Sequence, residues 1–376
     1  MKILMISSDR NILSPGSAVG ERMKEYGALA EELHIVLLSD RFHGLKEAQL
    51  SKNVWVYPTN SMFNILRPLG AARLGKKIVL EKKFVRGKSV ITAQDPFESG
   101  WAGLRVKKKW RLPLEIQLHT DPFSLYFTGF QNSVRRFFAG NVIRSADTIR
   151  VVSQSLKARI GSMTKAPIYV LPIYVDMEHI EAGKAAVDIH ALYPWRFILL
   201  AVSRLTPEKN LDLALNTLAL IRQTFPDTGL LIVGSGPEEG RLKTLSNTLG
   251  LEGHVEFAGW QNDLTSYYKT ANIFIQTSFF EGYGLSLVEA GLSELPVVTT
   301  PVGIALELEN GKDVYMCPAD HPELFAQTII DLIENNQKRE NLKFNLKRTL
   351  ESKLLTKENY LNELRVQWEK IALIIR

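Results

Sequence analysis

Two cations stand close together in the second half of the sequence, in a segment that follows an apolar run of strand length. Arg204 and Lys209 come after the run 197–202 and before a stretch of apolar residues at helical spacing. A guanidinium and an ammonium in one turn can hold a diphosphate, because the first offers paired donors and the second a point charge. Taken alone, this segment is also typical of a surface turn with ordinary salt bridges.

Two carboxylates occur further along, on either side of a glycine-bearing loop. Glu281 lies in the loop after the apolar run 273–276, and Glu289 lies in the predicted helix that begins near Gly284. Carboxylates accept paired hydrogen bonds from sugar hydroxyls. The amides at a helix start can hold a phosphate. This segment therefore combines groups suited to a sugar with groups suited to a phosphate.

The first half gives weaker signals. The loop 11–20 contains Gly16 and leads into a helix predicted to begin near Glu21, so its amides could meet an anion. A glycine turn before a helix is also common without any ligand. The fingerprint Gly-x-Gly-x-x-Gly is absent from this loop, which argues against an NAD enzyme. His119, at a predicted strand end, is either an internally satisfied histidine or a site residue.

The elements that must position these residues follow a repeated α/β pattern. Short and almost wholly apolar runs alternate with stretches of helical length, which indicates parallel strands covered on both faces. In such sheets, ligands bind outside the carboxyl ends of the strands, where the loops described above lie. The predicted strands are 2–7, 34–38, 54–57, 89–93, 114–118, 148–152 and 168–171 in the first half, and 197–202, 230–233, 255–257, 273–276, 297–299 and 314–317 in the second.

The pattern starts twice, near Lys2 and again near Arg196. It predicts an α/β protein of two Rossmann-like, doubly wound parallel-sheet domains that face each other across a cleft. The expected divisions are an N-terminal domain over 1–172, a linker over 173–195, a C-terminal domain over 196–355 and a final helix over 356–376.

The last segment should form a helix that packs back toward the N-terminal domain. Its apolar residues recur at spacings of three and four, which is typical of an amphipathic helix with one buried face. These residues are Tyr360, Leu364, Trp368, Ile371 and Ile375.

The composition is that of an ordinary globular protein, with 45% hydrophobic and 23% charged residues, which excludes a disordered chain and a multi-span membrane protein. The one cysteine, Cys317, fits a reducing compartment and allows no internal disulfide. The apolar run after Lys2 is too short for a signal peptide, and no run has the length of a membrane-spanning helix. We therefore expect a cytoplasmic protein that meets a membrane only at its surface.

Charge is unevenly distributed along the chain. The net charge of +6 is the sum of +11 for residues 1–190 and −5 for residues 191–376. Basic residues interleave with aromatic ones in the first half, most densely around 67–88, 107–111 and 135–138. Such clusters suit anionic lipid headgroups or nucleic acid phosphates, and each of them can also be a simple solvated basic face.

Several motifs in a fixed order resemble those of one enzyme family, the retaining glycosyltransferases of family 4, which have the GT-B fold. The resemblance is specific over residues 196–335 and looser in the first half, where it covers the Gly16 loop and segments 92–97 and 117–121. The motifs of the second half are Arg204 with Lys209, Gly234-Ser235-Gly236-Pro237, Val255-x-Phe257-x-Gly259, and the run from Glu281 to Glu289.

The resemblance implies that the N-terminal domain, 1–172, binds the acceptor and that the C-terminal domain, 196–355, binds the nucleotide sugar. It also implies roles for the residues that match these motifs. The two cations would neutralise the donor diphosphate, one glutamate would hold the ribose hydroxyls, and the other would orient the donor sugar together with two amides. The glycine of the first loop would lie against the phosphate and sugar, and the histidine would reach an outer sugar hydroxyl near the acceptor. The implied donor-binding residues are Gly16, Arg204, Lys209, Gly234, Gly284, Leu285 and Glu289. The implied catalytic residues are His119, Glu281, Arg204 and Lys209.

The implied reaction is a retaining transfer of a hexosyl unit from a UDP- or GDP-linked sugar to a glycan or lipid-linked acceptor. Arg204, Lys209 and a helix start would stabilise the leaving diphosphate, so no cofactor or metal is expected. The sequence also contains no Asp-x-Asp motif. We expect front-face attack, in which the departing phosphate oxygen takes the acceptor proton.

The expected partners follow from the same resemblance and from the charge pattern. They are the nucleotide-sugar donor, the acceptor, and an anionic membrane surface that meets the basic half at the inner membrane face, in polysaccharide or glycolipid synthesis. A soluble synthase or phosphorylase of a small sugar would share the fold and need no membrane. A nucleic-acid-binding protein would use the basic face but would leave Arg204, Lys209 and the two glutamates without a role.

Overall fold

A computed structural model describes residues 1–124 and 130–374 of the chain. The chain divides into two compact units. Unit 1 comprises Met1–Pro172 and Lys357–Arg376, and unit 2 comprises Ile173–Thr356. Each unit is built around one β-sheet.

Unit 1 contains a sheet of eight strands in the order β3-β4-β2-β1-β5-β6-β7-β8. The strands are β1 Lys2–Ser7, β2 Glu32–Leu37, β3 Ala48–Ser51, β4 Val54–Pro58, β5 Ser89–Ala93, β6 Leu114–Leu118, β7 Thr148–Val151 and β8 Ile168–Val170. The seven strands predicted for this half are confirmed, with ends that differ by at most two residues. The eighth strand, β3, was not predicted; it pairs antiparallel with β4 at the sheet edge.

The helices of unit 1 cover the parallel strands. They are α1 Ala18–Ala28, α2 Arg67–Glu81, α3 Glu98–Trp110, α4 Phe130–Ser145, α5 Gln154–Gly161 and, from the end of the chain, α13 Lys357–Ala372. Helix α1 begins three residues before the predicted start near Glu21. The cause is a capping interaction, since Ser17 Oγ accepts a hydrogen bond of 3.0 Å from the amide of Gly20.

Helix α13 forms part of the core of unit 1. Its buried face includes Leu364, Trp368 and Ile371, each fully buried. Tyr360 Oη lies 3.0 Å from Tyr26 Oη on α1. Ile375, which the sequence pattern assigns to the same face, lies outside the described residues.

Unit 2 contains six parallel strands in the order β11-β10-β9-β12-β13-β14. The strands are β9 Phe197–Val202, β10 Thr228–Val233, β11 Val255–Gly259, β12 Ile273–Gln276, β13 Val297–Thr299 and β14 Tyr315–Met316. All six were predicted from their apolar runs. Strand order reverses between β9 and β12, which is the arrangement of a doubly wound nucleotide-binding sheet.

The helices of unit 2 lie before, between and after these strands in the chain. They are α6 Met177–Ala182, α7 Leu211–Ile221, α8 Glu239–Thr248, α9 Thr265–Thr270, α10 Leu285–Leu292, α11 Pro322–Glu334 and α12 Asn336–Lys353. The segment 173–195, expected as a linker, groups with unit 2 and contains α6. Within it, the amide of Ala186 donates to Ser266 Oγ on α9 at 2.9 Å, so tertiary hydrogen bonds hold this segment in place.

Candidate functional site

The strongest candidate site lies where the strand order of unit 2 reverses. Strand β9 pairs with β10 on one side and with β12 on the other. The chain therefore leaves β9 and β12 in different directions, and such divergent loops leave a crevice at the carboxyl ends of the strands. The loop 203–210 follows β9 and the loop 277–284 follows β12, so the predicted charged residues of both loops belong to the same edge of the sheet.

The two loops are joined by a nearly buried ion pair. Lys209 Nζ donates to Glu281 Oε1 at 2.6 Å, and the exposed fractions of the two side chains are 13% and 12%. Ser278 Oγ donates to the same carboxylate oxygen at 2.7 Å. Thr277 Oγ1 donates to the backbone carbonyl of Lys209 at 3.0 Å. Fixed donors and an opposite charge thus hold Glu281 in one position.

Arg204 differs from Lys209 in its freedom to move. Its guanidinium donates to Glu208 Oε1 at 3.1 Å, and its side chain is 70% exposed. Exposed pairs of this kind contribute only about 0–1 kcal/mol to stability. The guanidinium can therefore exchange Glu208 for an anionic ligand at little cost, whereas Lys209 is already fixed.

Helix α10 starts beside Glu281 and has the features of an anion-binding start. Gly284 precedes the helix with φ of +96°, a left-handed conformation that favours glycine. No side chain within the described part of the chain caps this helix. The amides at the start of the helix, and the positive end of its dipole, are therefore available to a negatively charged group.

Glu289 lies on the second turn of α10 and is engaged with a neighbouring helix. Its Oε2 accepts a hydrogen bond of 2.9 Å from the hydroxyl of Tyr268 on α9. Burial raises the pKa of Glu289, and the Tyr268 bond offsets part of that shift. Tyr268 thus orients one carboxylate oxygen, a contact that the sequence analysis did not anticipate.

A small polar cavity lies between the two loops. Ser203 Oγ and Gln276 Oε1 are both buried and have no hydrogen-bond partner among the described residues. Buried polar atoms are nearly always paired in native proteins, so two unpaired ones at one cavity suggest a place for a polar ligand or water. The residues that line the cavity include Ser203, Lys209, Gln276, Ser278, Glu281 and Ser286.

Gly234 has a packing role that is evident from the backbone. A Cβ at this position would lie 1.9 Å from the carbonyl oxygen of Ser203, and its φ of +133° also disfavours any side chain. A Cβ at Gly236 would lie 2.2 Å from the carbonyl of Leu205. Both glycines therefore let the loop after β10 pack directly on the backbone that carries Arg204.

Two predicted site residues belong to the other unit. Gly16 lies in the loop before α1 with φ of +68°, a conformation that favours glycine although there is open space beside it. His119 directly follows β6, and its Nε2 lies 3.3 Å from Gln117 Oε1. His119 is solvent-exposed. Partial desolvation by the protein atoms around it, with the charges of Arg150 and Arg22, lowers the pKa of His119 to about 4.

Unit 2 thus brings together most of the predicted residues, and unit 1 contains the rest. The residues missed by the sequence analysis are the polar partners, Ser203, Gln276, Ser278 and Tyr268. One of them gave a usable signal, because Gln276 is the single polar residue of the otherwise apolar strand β12. The residues that unit 2 contains are Arg204, Lys209, Gly234, Glu281, Gly284, Leu285 and Glu289.

Comparison with known families gives a match in the same unit. Residues 186–349 match the family model described as "Glycosyl transferases group 1". The matched segment includes both loops of the crevice and the three strands β9, β10 and β12 that carry its residues.

Curated relatives are glycosyltransferases with low identity to this chain. The chain is 24% identical over 264 residues to alpha-monoglucosyldiacylglycerol synthase of Acholeplasma laidlawii, covering 65% of each protein. It is 25% identical over 202 residues to the lipopolysaccharide core biosynthesis glycosyltransferase LpsE of Rhizobium meliloti, covering 53% of this chain and 57% of the relative. The chain thus spans less than two thirds of the length of these relatives.

Solved structures resemble the chain over almost its full length. HepE of Anabaena in complex with UDP has a TM-score of 0.73 at 23% identity, with 98% of both chains covered. Sucrose-phosphate synthase of Thermosynechococcus elongatus has a TM-score of 0.80 at 17% identity, also with 98% of both covered. These similarities confirm the predicted GT-B fold class, with its two parallel-sheet α/β domains.

Proposed function

We propose that this protein is a retaining glycosyltransferase that moves a hexosyl unit from a nucleotide sugar to a glycan or lipid-linked acceptor. The observation that carries the proposal is the Lys209–Glu281 pair at the strand-order reversal of unit 2, beside the uncapped start of α10. This crevice combines cations, amides and a fixed carboxylate, which are the groups that a sugar diphosphate requires.

The diphosphate would bind Arg204, Lys209 and the first amides of α10. As the bond from the sugar to the phosphate oxygen breaks, negative charge grows on that oxygen. Fixed positive groups stabilise such charge without having to reorganise. Arg204 can turn from Glu208 to the phosphate, since their exposed contact is weak. We propose that these groups suffice without a metal.

The sugar would be oriented by Glu281 and the amides of Gly284 and Leu285, and the ribose by Glu289. In the proposed front-face reaction, the acceptor oxygen bonds to the anomeric carbon from the side on which the diphosphate departs. The electron pair of the broken bond stays on the phosphate oxygen, and the acceptor proton moves to that oxygen. Configuration is thereby retained, and Glu281 positions the sugar without becoming covalently attached.

UDP is the nucleotide that we favour. HepE, which shares the fold, has been crystallised with UDP and with UDP-glucose. GDP-linked sugars are the alternative donors, and the binding experiment below distinguishes the two nucleotides.

Thermal unfolding with UDP-, GDP- and ADP-sugars, with and without EDTA, tests donor binding. A ligand at about 100 times its Kd adds about 2.7 kcal/mol of stability. We expect one nucleotide sugar to raise the melting temperature in EDTA and Arg204→Ala to abolish the rise. Arg348→Ala, an exposed position on α12, is the matched control and should retain it. Absence of any rise across the panel, or a rise that persists in Arg204→Ala, would contradict the proposal.

We further propose that the acceptor is met at the inner membrane face. Exposed positions of α2 and the turn before it form one stripe at spacings of three and four, which we call the α2 surface: Leu66, Leu69, Arg73, Lys77 and Leu80. Phe63 and Ile65, immediately before it, are 59% and 82% exposed. An exposed face of apolar and basic residues is typical of a helix that lies on an anionic membrane. No helix of the described chain is suited to crossing the bilayer.

Vesicle sedimentation tests the membrane proposal. The protein should bind vesicles that contain phosphatidylglycerol, bind less as salt rises, and ignore neutral phosphatidylcholine vesicles. Ile65→Ser should weaken binding severalfold. Phe344→Ser, which changes a similarly exposed apolar residue in unit 2, should leave binding unchanged. Equal binding to both vesicle types, or equal loss in both variants, would overturn the α2 surface as the docking site.

A soluble sugar synthase remains the second candidate, because the sucrose-phosphate synthase similarity has a TM-score of 0.80. Product analysis distinguishes the two functions. The protein is incubated with the identified donor, labelled in its sugar, and with a mixture of fructose 6-phosphate and a membrane lipid extract. A labelled lipid is expected if the membrane proposal is correct. A labelled disaccharide phosphate, without labelled lipid, would establish the synthase.

A further inference from the structure

A buried chain of hydrogen bonds in unit 1 runs from α13 through β5 and β6 to His119. Its central residue is Glu115 on β6, which has no exposed surface. Gln367 Nε2 donates to its Oε1 at 2.7 Å and Trp368 Nε1 donates to its Oε2 at 3.2 Å. Thr92 Oγ1 lies 2.6 Å from the same Oε2. All three of these hydrogen bonds are donated to the Glu115 carboxyl group.

A buried guanidinium lies on β7, the strand next to the one that carries Glu115. Arg150 on β7 is 5% exposed. Burial opposes its charge, but the charge of Glu115 and the hydroxyls of Tyr360 and Tyr26 outweigh that effect and raise the pKa of Arg150.

The contact between Thr92 and Glu115 sets the direction of the bonds that follow. The hydroxyl of Thr92 gives its single proton to Glu115 Oε2. Thr92 Oγ1 can then only accept from Gln117, whose Nε2 lies 2.8 Å away. The amide group of Gln117 is thereby oriented with its nitrogen toward Thr92 and its oxygen, Oε1, toward His119.

We propose that Gln117 is a positioning residue that holds His119 as the neutral tautomer with its proton on Nε2. Gln117 Oε1 accepts from that nitrogen at 3.3 Å. Nδ1 then carries a lone pair and accepts a hydrogen bond from a substrate hydroxyl. The opposite tautomer would place two lone pairs against each other at Nε2 and Oε1.

The low pKa of His119, about 4, agrees with this assignment, because a neutral ring keeps one accepting nitrogen at physiological pH. The substrate part of the inference rests on the proposed function. The tautomer itself does not, since the chain of bonds lies within unit 1.

Nitrogen NMR of the full chain labelled with ¹⁵N-histidine measures the tautomer without any substrate. The His119 signals are assigned by their loss in His119→Gln. We expect the Nε2–H form in the unaltered protein. The Nδ1–H form, or an equal mixture, would overturn the proposal whatever the Thr92 and Gln117 variants show.

Two substitutions test whether Gln117 positions His119 or only fills space beside it. Thr92→Val removes the hydroxyl that orients Gln117, and Gln117→Met removes the acceptor while keeping the side-chain length. Both should release His119 into a mixture of tautomers, whereas Thr92→Ser keeps the hydroxyl and should retain the Nε2–H form. An unchanged tautomer in folded Gln117→Met would refute the positioning role.

Kinetics distinguish this inference from the proposed function. With the identified donor, Gln117→Met should lower kcat about 3- to 10-fold, the range expected for one neutral hydrogen bond. The melting-temperature rise caused by the donor's nucleotide should remain. If no nucleotide sugar binds, the proposed function fails, while the NMR result stands or falls separately. An Nε2–H tautomer with unaltered kcat in Gln117→Met would remove the link to the substrate.

Discussion

In the crevice, one ion pair stabilises two side chains that the proposed donor would also contact. Lys209 and Glu281 neutralise each other at 2.6 Å while nearly buried. Removal of one partner leaves the other as an uncompensated charge, which costs far more than the pair contributes when intact. The same residues therefore affect both folding and the proposed donor site.

Lys209→Ala should reduce the free energy of unfolding by about 2–4 kcal/mol, somewhat less than for a fully buried pair because the side chains keep 13% and 12% exposure. Chemical denaturation measures the loss. The double variant Lys209→Met with Glu281→Gln should recover part of it, because no unpaired charge remains. Neither variant should show the nucleotide-sugar rise in melting temperature. A double variant as unstable as the single one would contradict this account.

Gly234 should tolerate no side chain. Gly234→Ala would place Cβ 1.9 Å from the Ser203 carbonyl at a strained φ of +133°, so we expect a loss of about 2–5 kcal/mol in unfolding free energy. Gly240→Ala is the matched control, since Gly240 lies in α8 with open space around it. That substitution should stabilise the protein by up to about 1 kcal/mol. Similar melting temperatures for both variants would show that the β10 loop can move away.

At the scale of elements, helix α13 packs into the core of unit 1, whose strands lie far from it in sequence. Its residue Trp368 is fully buried and reaches Glu115, which is 253 residues away along the chain. Trp368→Ala should therefore cost about 3–5 kcal/mol, through the cavity and the lost bond to a carboxylate. Leu373→Ala, at a 70% exposed position just beyond the helix, should change stability by less than about 0.5 kcal/mol. Denaturation curves that coincide for both variants would exclude the packing role.

Apolar sequence patterns are sufficient to predict the buried central strands but not the edge strand β3. Runs such as 197–202 and 230–233 identify strands because burial on both faces leaves room only for apolar residues. Ala48–Ser51 has no such run; it becomes β3 only because β4 offers an open edge beside it. Periodicity detects the burial of an element and does not detect its hydrogen-bonding partner.

For the whole molecule, the division into two units separates the proposed functions. The proposed donor-binding residues lie in unit 2, apart from Gly16, and the basic clusters around 67–88, 107–111 and 135–138 lie in unit 1. Each unit has its own sheet. A ligand that binds mainly one unit should therefore protect that unit selectively.

Hydrogen exchange with and without UDP measures this selectivity. UDP should slow amide exchange in the loop 203–210 and in 277–289, where the loop after β12 leads into α10. The central strands β2 and β4 of unit 1 should exchange at the same rate in both conditions. Arg204→Ala should remove the protection. Slower exchange that is uniform over both units would contradict a nucleotide site built from the unit 2 loops.

The sequence by itself determined the two α/β units, the strands of both sheets apart from β3, the amphipathic end helix and the charged loops of unit 2. Local patterns determine these features because the period of apolar residues and the turn chemistry are encoded over a few neighbouring positions. Only the tertiary structure decided the contacts that couple the site: Lys209 with Glu281, Tyr268 with Glu289, and Glu115 with Trp368. These pairs are 72, 21 and 253 residues apart. Their geometry depends on how strands and helices pack, which no local pattern records.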